Sequence, residues 1–219
     1  MELVVIRHGE TRANAEGRYL GALDLPLNER GREQVVELAK ALAGEGPFAC
    51  LLSSPLLRAR QSAQPIAREL ALPVRIEPAF RERHVGLFEG LTQTEARERY
   101  PVLWARNITR RWDEAPPGGE SLDAVIARVS RGLTALVHRH GGERVLLVAH
   151  GVVAKVIRAV TGAGFADFFS WQLHNGGRLV VRLDPARPPA YCHRPVQDES
   201  RFLKDGGADS ACDGKHPRP

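Results

Sequence analysis

"VVIRHGET", residues 4–11, opens as a strand for a protein core and closes on an arginine, a histidine and a glycine. An unsatisfied hydrogen-bonding group in a core costs roughly 1–3 kcal/mol, and a buried charge costs more. Arg7 and His8 therefore either reach solvent or do chemistry. The same ending recurs twice: LLSSPLL runs into Arg58, and VLLVA runs into His150-Gly151.

Around these endings, short β-rich runs alternate with longer helical ones: ELVVI (2–6), ACLLS (49–53), VRIE (74–77), VLLVA (145–149) and LVVRL (179–183). Such alternation predicts an α/β fold, a three-layer α/β/α sandwich with a mostly parallel central sheet. Asn28 can cap a helix whose apolar face holds Val35, Leu38, Ala39 and Leu42, with Gly44 as its stop. From Ser121 to His140, Leu122, Val125, Ile126, Val129, Leu133, Leu136 and Val137 recur at three- and four-residue steps and fall on one helical stripe. Phe80 to Gly119 lacks clear strands and is expected to form a helical insert over the carboxyl-terminal edge of the strands. After residue 184 the texture changes: 6 of the 15 prolines fall in the last 35 residues, and no hydrophobic period survives. The expected division is a domain over 1–184 and a mobile tail over 185–219.

With 219 residues, 43% apolar and 26% charged, the chain can build one sizeable core. No run approaches the ~18 apolar residues of a membrane span, and the first residues lack the basic-then-apolar order of a secretory signal. A cytoplasmic location without a membrane partner is the expectation. Cys50, Cys192 and Cys212 are odd in number, far apart and without metal-ligand spacing, which argues against both a disulfide framework and a zinc site. The net charge of +5 is spread along helices among acids, with little aromatic interleaving, so it is not the basic stripe that nucleic acid requires. A locally basic pocket for a small anion fits that charge as well.

In a parallel sheet with helical crossovers the strands' carboxyl ends share one edge, where α/β proteins bind ligands. Arg7, His8, Arg58 and His150 would then meet in one crevice. Crowding two arginines and two histidines is unfavourable unless an anion compensates. A third pair, His140-Gly141, supplies a contrast, since it closes the long amphipathic helix, where both residues are ordinary caps.

A phosphoryl group suits such a crevice, because its transfer depends on positioning and on fixed cations, and arginine offers planar paired donors. A neutral imidazole attacking phosphorus in line gives a phosphohistidine, and neighbouring arginines favour the neutral ring. The leaving oxygen then needs a proton. Glu82, in "FRERHVGLFEG" directly after VRIE, is the carboxylic acid best placed in sequence to give it.

"RHGET" (7–11), "SSPLLRARQSA" (53–63), "ERHVGLFEGL" (82–91), "GGES" (118–121) and "VAHG" (148–151) together resemble the histidine phosphatase superfamily, also called the phosphoglycerate mutase-like family. The five blocks keep the family's order across about residues 1 to 183. This resemblance implies that His8 is the phosphorylated nucleophile and that Arg7, Arg58 and His150 complete the phosphate pocket. It makes Glu82 the proton donor and then the base that activates water. Asn14 stands where the family often has an asparagine on the phosphate, and Gly9 and Gly151 would let backbone amides approach it. Gly21, the glycine of the first loop, joins them as a substrate-binding position. No metal or organic cofactor is implied. The family includes dimers and tetramers, so a homo-oligomer stays open.

"ERHVGLFEGL" resembles the cofactor-dependent mutases, and Arg110-Arg111 resembles their arginine pair for the substrate carboxylate. Leu20 replaces the mutases' hydroxyl residue before Gly21, and Val85 and Gln93 replace their tyrosine and lysine. Lost ligands favour release to water, so a phosphomonoesterase acting on a small phosphorylated metabolite is expected, with the mutase as an alternative. A binding module without turnover would be expected to have lost His8 or Glu82, and both are present. A metal triad of His8, His150 and Glu82 is the remaining alternative, though two arginines beside it would repel a divalent cation.

Overall fold

The computed structural model of the protein describes residues 1–184 and 186, so the expected mobile tail lies outside the described residues, residue 186 apart. Five strands form one sheet: β1 (Glu2–Arg7), β2 (Cys50–Ser53), β3 (Val74–Ile76), β4 (Arg144–Ala149) and β5 (Arg178–Arg182). Their order is β3-β2-β4-β1-β5. The first four run parallel, and β5 lies antiparallel against β1 at the edge.

Each central strand is buried on both faces, and the two-residue side-chain period divides it between two cores. Val4, Ile6, Leu51, Leu146 and Val148 point one way, towards Ala39 and Leu42 of α2 (Glu29–Ala43) and Ala59, Ala63 and Ile66 of α3 (Leu57–Leu70). Leu3, Val5, Cys50, Leu52, Val145, Leu147 and Ala149 point the other way, towards α6 (Leu122–Arg139) and α7 (Gly151–Arg158). Three layers result, as the alternation of runs predicts.

The caps are local and explain the helix limits. Asn28 accepts a hydrogen bond from the Gly31 amide at 2.8 Å to start α2, and Gly44 ends it. Ser121 accepts from the Ala124 amide at 3.1 Å to start α6, and His140 closes that helix. All seven stripe residues of α6 are buried, so truncating one, as in Leu133→Ala, should cost about 2–5 kcal/mol.

Residues 78–119 form the insert from short turns, α4 (Gln93–Arg99) and α5 (Pro101–Ala105). Val85, Phe88, Leu91, Ala96 and Ile108 give it a small core of its own. Arg18, in the loop after α1 (Arg12–Ala15), fastens the insert by donating to the Gly90 carbonyl at 2.9 Å and to Glu95 at 2.6 Å. Among the described residues no helix is long and apolar enough to cross a membrane.

The connection after β1 leads to α2 on one face, whereas that after β4 leads to α7 on the other. β1 and β4 are neighbours, so a crevice opens between their carboxyl ends at this switch point. Arg7 ends β1 and His150 follows β4.

Candidate active site

His8 and His150 face each other across the crevice with ring centroids 5.2 Å apart. The predicted convergence is therefore present: Arg7, His8, Arg58 and His150 are all buried at one edge of the sheet.

His8 is held from several sides. Its amide donates to the Ala149 carbonyl at 3.1 Å, and its carbonyl accepts from the Gly176 amide at 3.2 Å and from Asn175 Nδ2 at 3.0 Å. The ring Nδ1 lies 2.7 Å from the Gly9 carbonyl. A carbonyl can only accept, so Nδ1 carries the proton and Nε2 keeps its lone pair. The Arg58 Nε–H donates to that lone pair at 3.2 Å. The remaining Arg58 nitrogens are fixed by the carbonyls of Leu23 (2.6 Å) and Gly21 (2.7 Å).

Burial, followed by the charges of Arg58 and Arg7, holds the His8 ring well below its ordinary pKa. Burial and then Arg58 do the same to His150. Burial also brings Arg58 down to about 10 and lowers Arg7, with Glu82 acting to raise both. At neutral pH the site thus holds two neutral imidazoles beside two cations. Arg7 donates to the Leu173 carbonyl at 2.6 Å, but its Nε is buried with no protein acceptor. His150 Nε2 lies 2.6 Å from Ser54 Oγ, and its Nδ1 is likewise buried without a partner. Two orphaned ring and guanidinium nitrogens in one cleft suit a ligand rich in acceptor oxygens.

Glu82 stands at the rim. Its two oxygens accept from the amides of Arg83 (2.9 Å) and Val152 (3.1 Å), which fixes it at the amino end of α7. A Cβ built on Gly151 would lie 3.6 Å from Arg7 Cζ and 3.8 Å from a Glu82 oxygen, so these groups share one wall.

Other expected positions are used differently. The Gly9 amide donates to Ser62 Oγ at 3.0 Å, and a Cβ there would sit 2.3 Å from the Gly31 carbonyl. That glycine lets α2 approach the loop that carries His8. Gly21 has φ +51° with Glu89 against its α-carbon, and it holds Arg58 through its carbonyl. Asn14 Oδ1 accepts from the Thr11 amide and hydroxyl and from Asn175 Nδ2 at 3.3 Å, so it braces the loop beside His8. Arg110 is exposed with its Cζ 6.0 Å from the centre of the Phe169 ring. Arg111 donates to the Arg106 carbonyl at 3.4 Å.

Sequence reasoning missed Ser54, Ser62 and Asn175. Asn175-Gly176 is an ordinary turn signal, and nothing local tells that this turn grips His8.

An open α/β sheet with two neutral imidazoles and two guanidiniums at its switch point defines a class of site suited to a compact anion. The chain belongs to the histidine phosphatase superfamily (branch 1), whose sequence profile matches residues 3–192. A metal-independent phosphoserine phosphatase of Arabidopsis thaliana is 40% identical over 158 residues, 71% of this chain and 66% of its own length. The match thus spans just under two thirds of that relative. A 2,3-bisphosphoglycerate-dependent phosphoglycerate mutase of Methylobacterium radiotolerans is 33% identical over 192 residues, 83% of this chain and 89% of its own. Among solved structures, mycobacterial glucosyl-3-phosphoglycerate phosphatase Rv2419c with VO3 superposes with a TM-score of 0.73 at 30% identity. That superposition covers 82% of this chain and 91% of the other.

Proposed function

We propose that the protein is a phosphomonoesterase that hydrolyses a small phosphorylated metabolite through a phosphohistidine on His8. The observation that carries this reading is the state of the His8 ring, whose Nδ1 proton is tied to Gly9 and whose Nε2 lone pair is kept neutral and directed by Arg58.

In the first step Nε2 attacks phosphorus and the bond to the ester oxygen breaks. Glu82 gives that oxygen its proton, and the alcohol leaves. Arg58 exchanges its bond to Nε2 for one to a phosphoryl oxygen, while Arg7 Nε and His150 Nδ1 take the others. In the second step Glu82 removes a proton from water, the hydroxide oxygen attacks phosphorus, and the N–P bond breaks to free phosphate and the neutral ring. Fixed cations in a buried site stabilise charge as it spreads over the equatorial oxygens. Asn14, Gly9, Gly21 and Gly151 shape this pocket, the first three through the contacts that set His8 and Arg58.

Two features favour hydrolysis over the mutase reaction. Leu20 and Val85 stand where the mutases have polar residues, and both are buried, Val85 within the apolar core of the insert. Neither can hold a phosphorylated acid against water. The Arg58 N–H on Nε2 and the amides on Glu82 likewise oppose a metal triad, since the donor atoms already face hydrogens. Incubation with 3-phosphoglycerate and a trace of bisphosphoglycerate tests the choice. Free phosphate is the expected product, and accumulation of the 2-isomer would move the protein to the mutases.

A further inference from the structure

His8 and His150 face each other across the crevice, yet the proposed reaction needs opposite things of them, a lone pair from one and an N–H from the other. A neutral imidazole carries one of each, so whatever touches its far nitrogen decides which is turned to the cleft. At His8 the Gly9 carbonyl takes the Nδ1 proton and leaves the Nε2 lone pair for attack. At His150 the far nitrogen is Nε2, 2.6 Å from the Ser54 hydroxyl, and a hydroxyl can either donate or accept.

The surroundings of Ser54 decide between the two. Pairing of β2 with β4 sets Ser53 opposite Val148, and the Ser54 amide donates to the Val148 carbonyl at 2.9 Å. Ser54 and His150, each the first residue past its strand, are thereby brought together, and both are fully buried. Ser54 Oγ already accepts from the Leu56 amide at 3.4 Å, and among the described residues its own proton has no acceptor but His150 Nε2. Were Nε2 the protonated nitrogen, that hydroxyl proton would be stranded in the core, and a bare lone pair at Nδ1 would face the phosphoryl oxygens. With the hydroxyl donating, Nε2 is satisfied and the proton sits on Nδ1, the nitrogen that is buried without a protein partner. Burial and then Arg58 hold this ring well below its ordinary pKa, so at neutral pH it has a single proton to place.

We propose that Ser54 is a positioning residue for phosphoryl transfer: its hydroxyl donates to His150 Nε2, fixes the Nδ1–H form of that ring, and so makes His150 a donor to a phosphoryl oxygen and His8 the sole nucleophile of the pair. This rests on the phosphomonoesterase reading above. His150 neither gains nor loses a proton in either step; it keeps one hydrogen bond to Ser54 and lends the other to the transferring group.

Nitrogen-15 labelling of the histidines in the full chain tests it, because long-range proton–nitrogen spectra near neutral pH distinguish a protonated ring nitrogen from a bare one. His150→Gln identifies the His150 signals among those of the eight histidines. The wild type should show a protonated Nδ1 and a bare Nε2 at His150. Ser54→Ala should shift both signals towards intermediate positions as the two forms mix, and Ser54→Thr, which keeps the hydroxyl, should restore the wild-type pattern. In the same Ser54→Ala protein kcat for alkyl phosphates should fall on the order of tenfold with KM little changed, less than outright loss of a donor costs because the Nδ1–H form stays partly populated. A protonated Nε2 in the wild type would overturn the proposal whatever the variants do, and so would a Ser54→Ala protein with the wild-type spectrum or with undiminished kcat. Any of these results with normal wild-type turnover leaves the phosphomonoesterase standing. A wild type that hydrolyses neither alkyl phosphates nor p-nitrophenyl phosphate would remove that reading and the positioning role with it.

Discussion

Acid should destabilise this fold through the two histidines of the site, by an amount that can be worked out. Folded, His8 and His150 are buried and held well below the ordinary value of 6.5, first by burial and then by Arg58. Unfolded, each ring titrates near 6.5. Above that pH both states are neutral and the full stability is present. Below it the unfolded chain takes up protons that the folded chain refuses, so stability falls with pH until the folded rings themselves protonate. Each group contributes a slope of about 1.4 kcal/mol per pH unit, and two give about 2.7. Against a total of roughly 5–15 kcal/mol, one or two units of acid matter.

Urea titrations of the wild type and His150→Gln from about pH 7 down to about pH 5 isolate the effect, since the carboxylates contribute alike to both and cancel. The wild-type curve should fall more steeply than the variant's by about 1.4 kcal/mol per pH unit below 6.5. Parallel curves would refute the reasoning, because they would mean that the folded ring takes up its proton over the same pH range as the unfolded one. In the proposed mechanism the same neutrality keeps His8 available for attack, so the acid limb of kcat/KM should lie below 6.5.

Further outcomes follow from the geometry. Glu82→Gln should slow alkyl phosphates roughly 10²- to 10⁴-fold while sparing p-nitrophenyl phosphate, whose leaving group needs no proton; equal losses on both would place the acid elsewhere. A Cβ on Gly31 would lie 2.1 Å from the Glu10 carbonyl. Gly31→Ala should therefore cost about 1–3 kcal/mol in denaturant titrations and lower kcat by shifting the His8 loop, and a neutral result would show that α2 can simply slide away. Activity should survive extensive treatment with EDTA, and restoration by added divalent metal after its loss would revive the His8, His150 and Glu82 triad as a metal site.

Much of the fold could be read because its determinants are local. Asn28 and Ser121 cap their helices within three residues, and the α6 stripe repeats within one helix. The strands are found within one residue at each end, β1 running on through Arg7 because Arg7 pairs with Ala149 of β4. The buried cluster of Arg7, His8, Arg58 and His150 was readable for a related reason: charged residues at the ends of apolar runs are conspicuous, and parallel topology brings such ends together. What escaped depends on distant partners. Nothing near Asn175 reveals that its amide will grip the His8 carbonyl 167 residues away, nor does Ser54 announce a bond to His150. Gly9 and Gly21 show the same limit, because in both cases a distant group, the Gly31 carbonyl or Glu89, occupies the space of a side chain.

The most direct test of the central claim is rapid mixing with a 32P-labelled phosphate ester, quenching in alkali, and mapping of the labelled peptide. Acid-labile label on His8, bonded through Nε2 and formed at a rate that supports turnover, is the expected result. Label on another residue, or turnover with no protein-bound phosphate at any time, would contradict it.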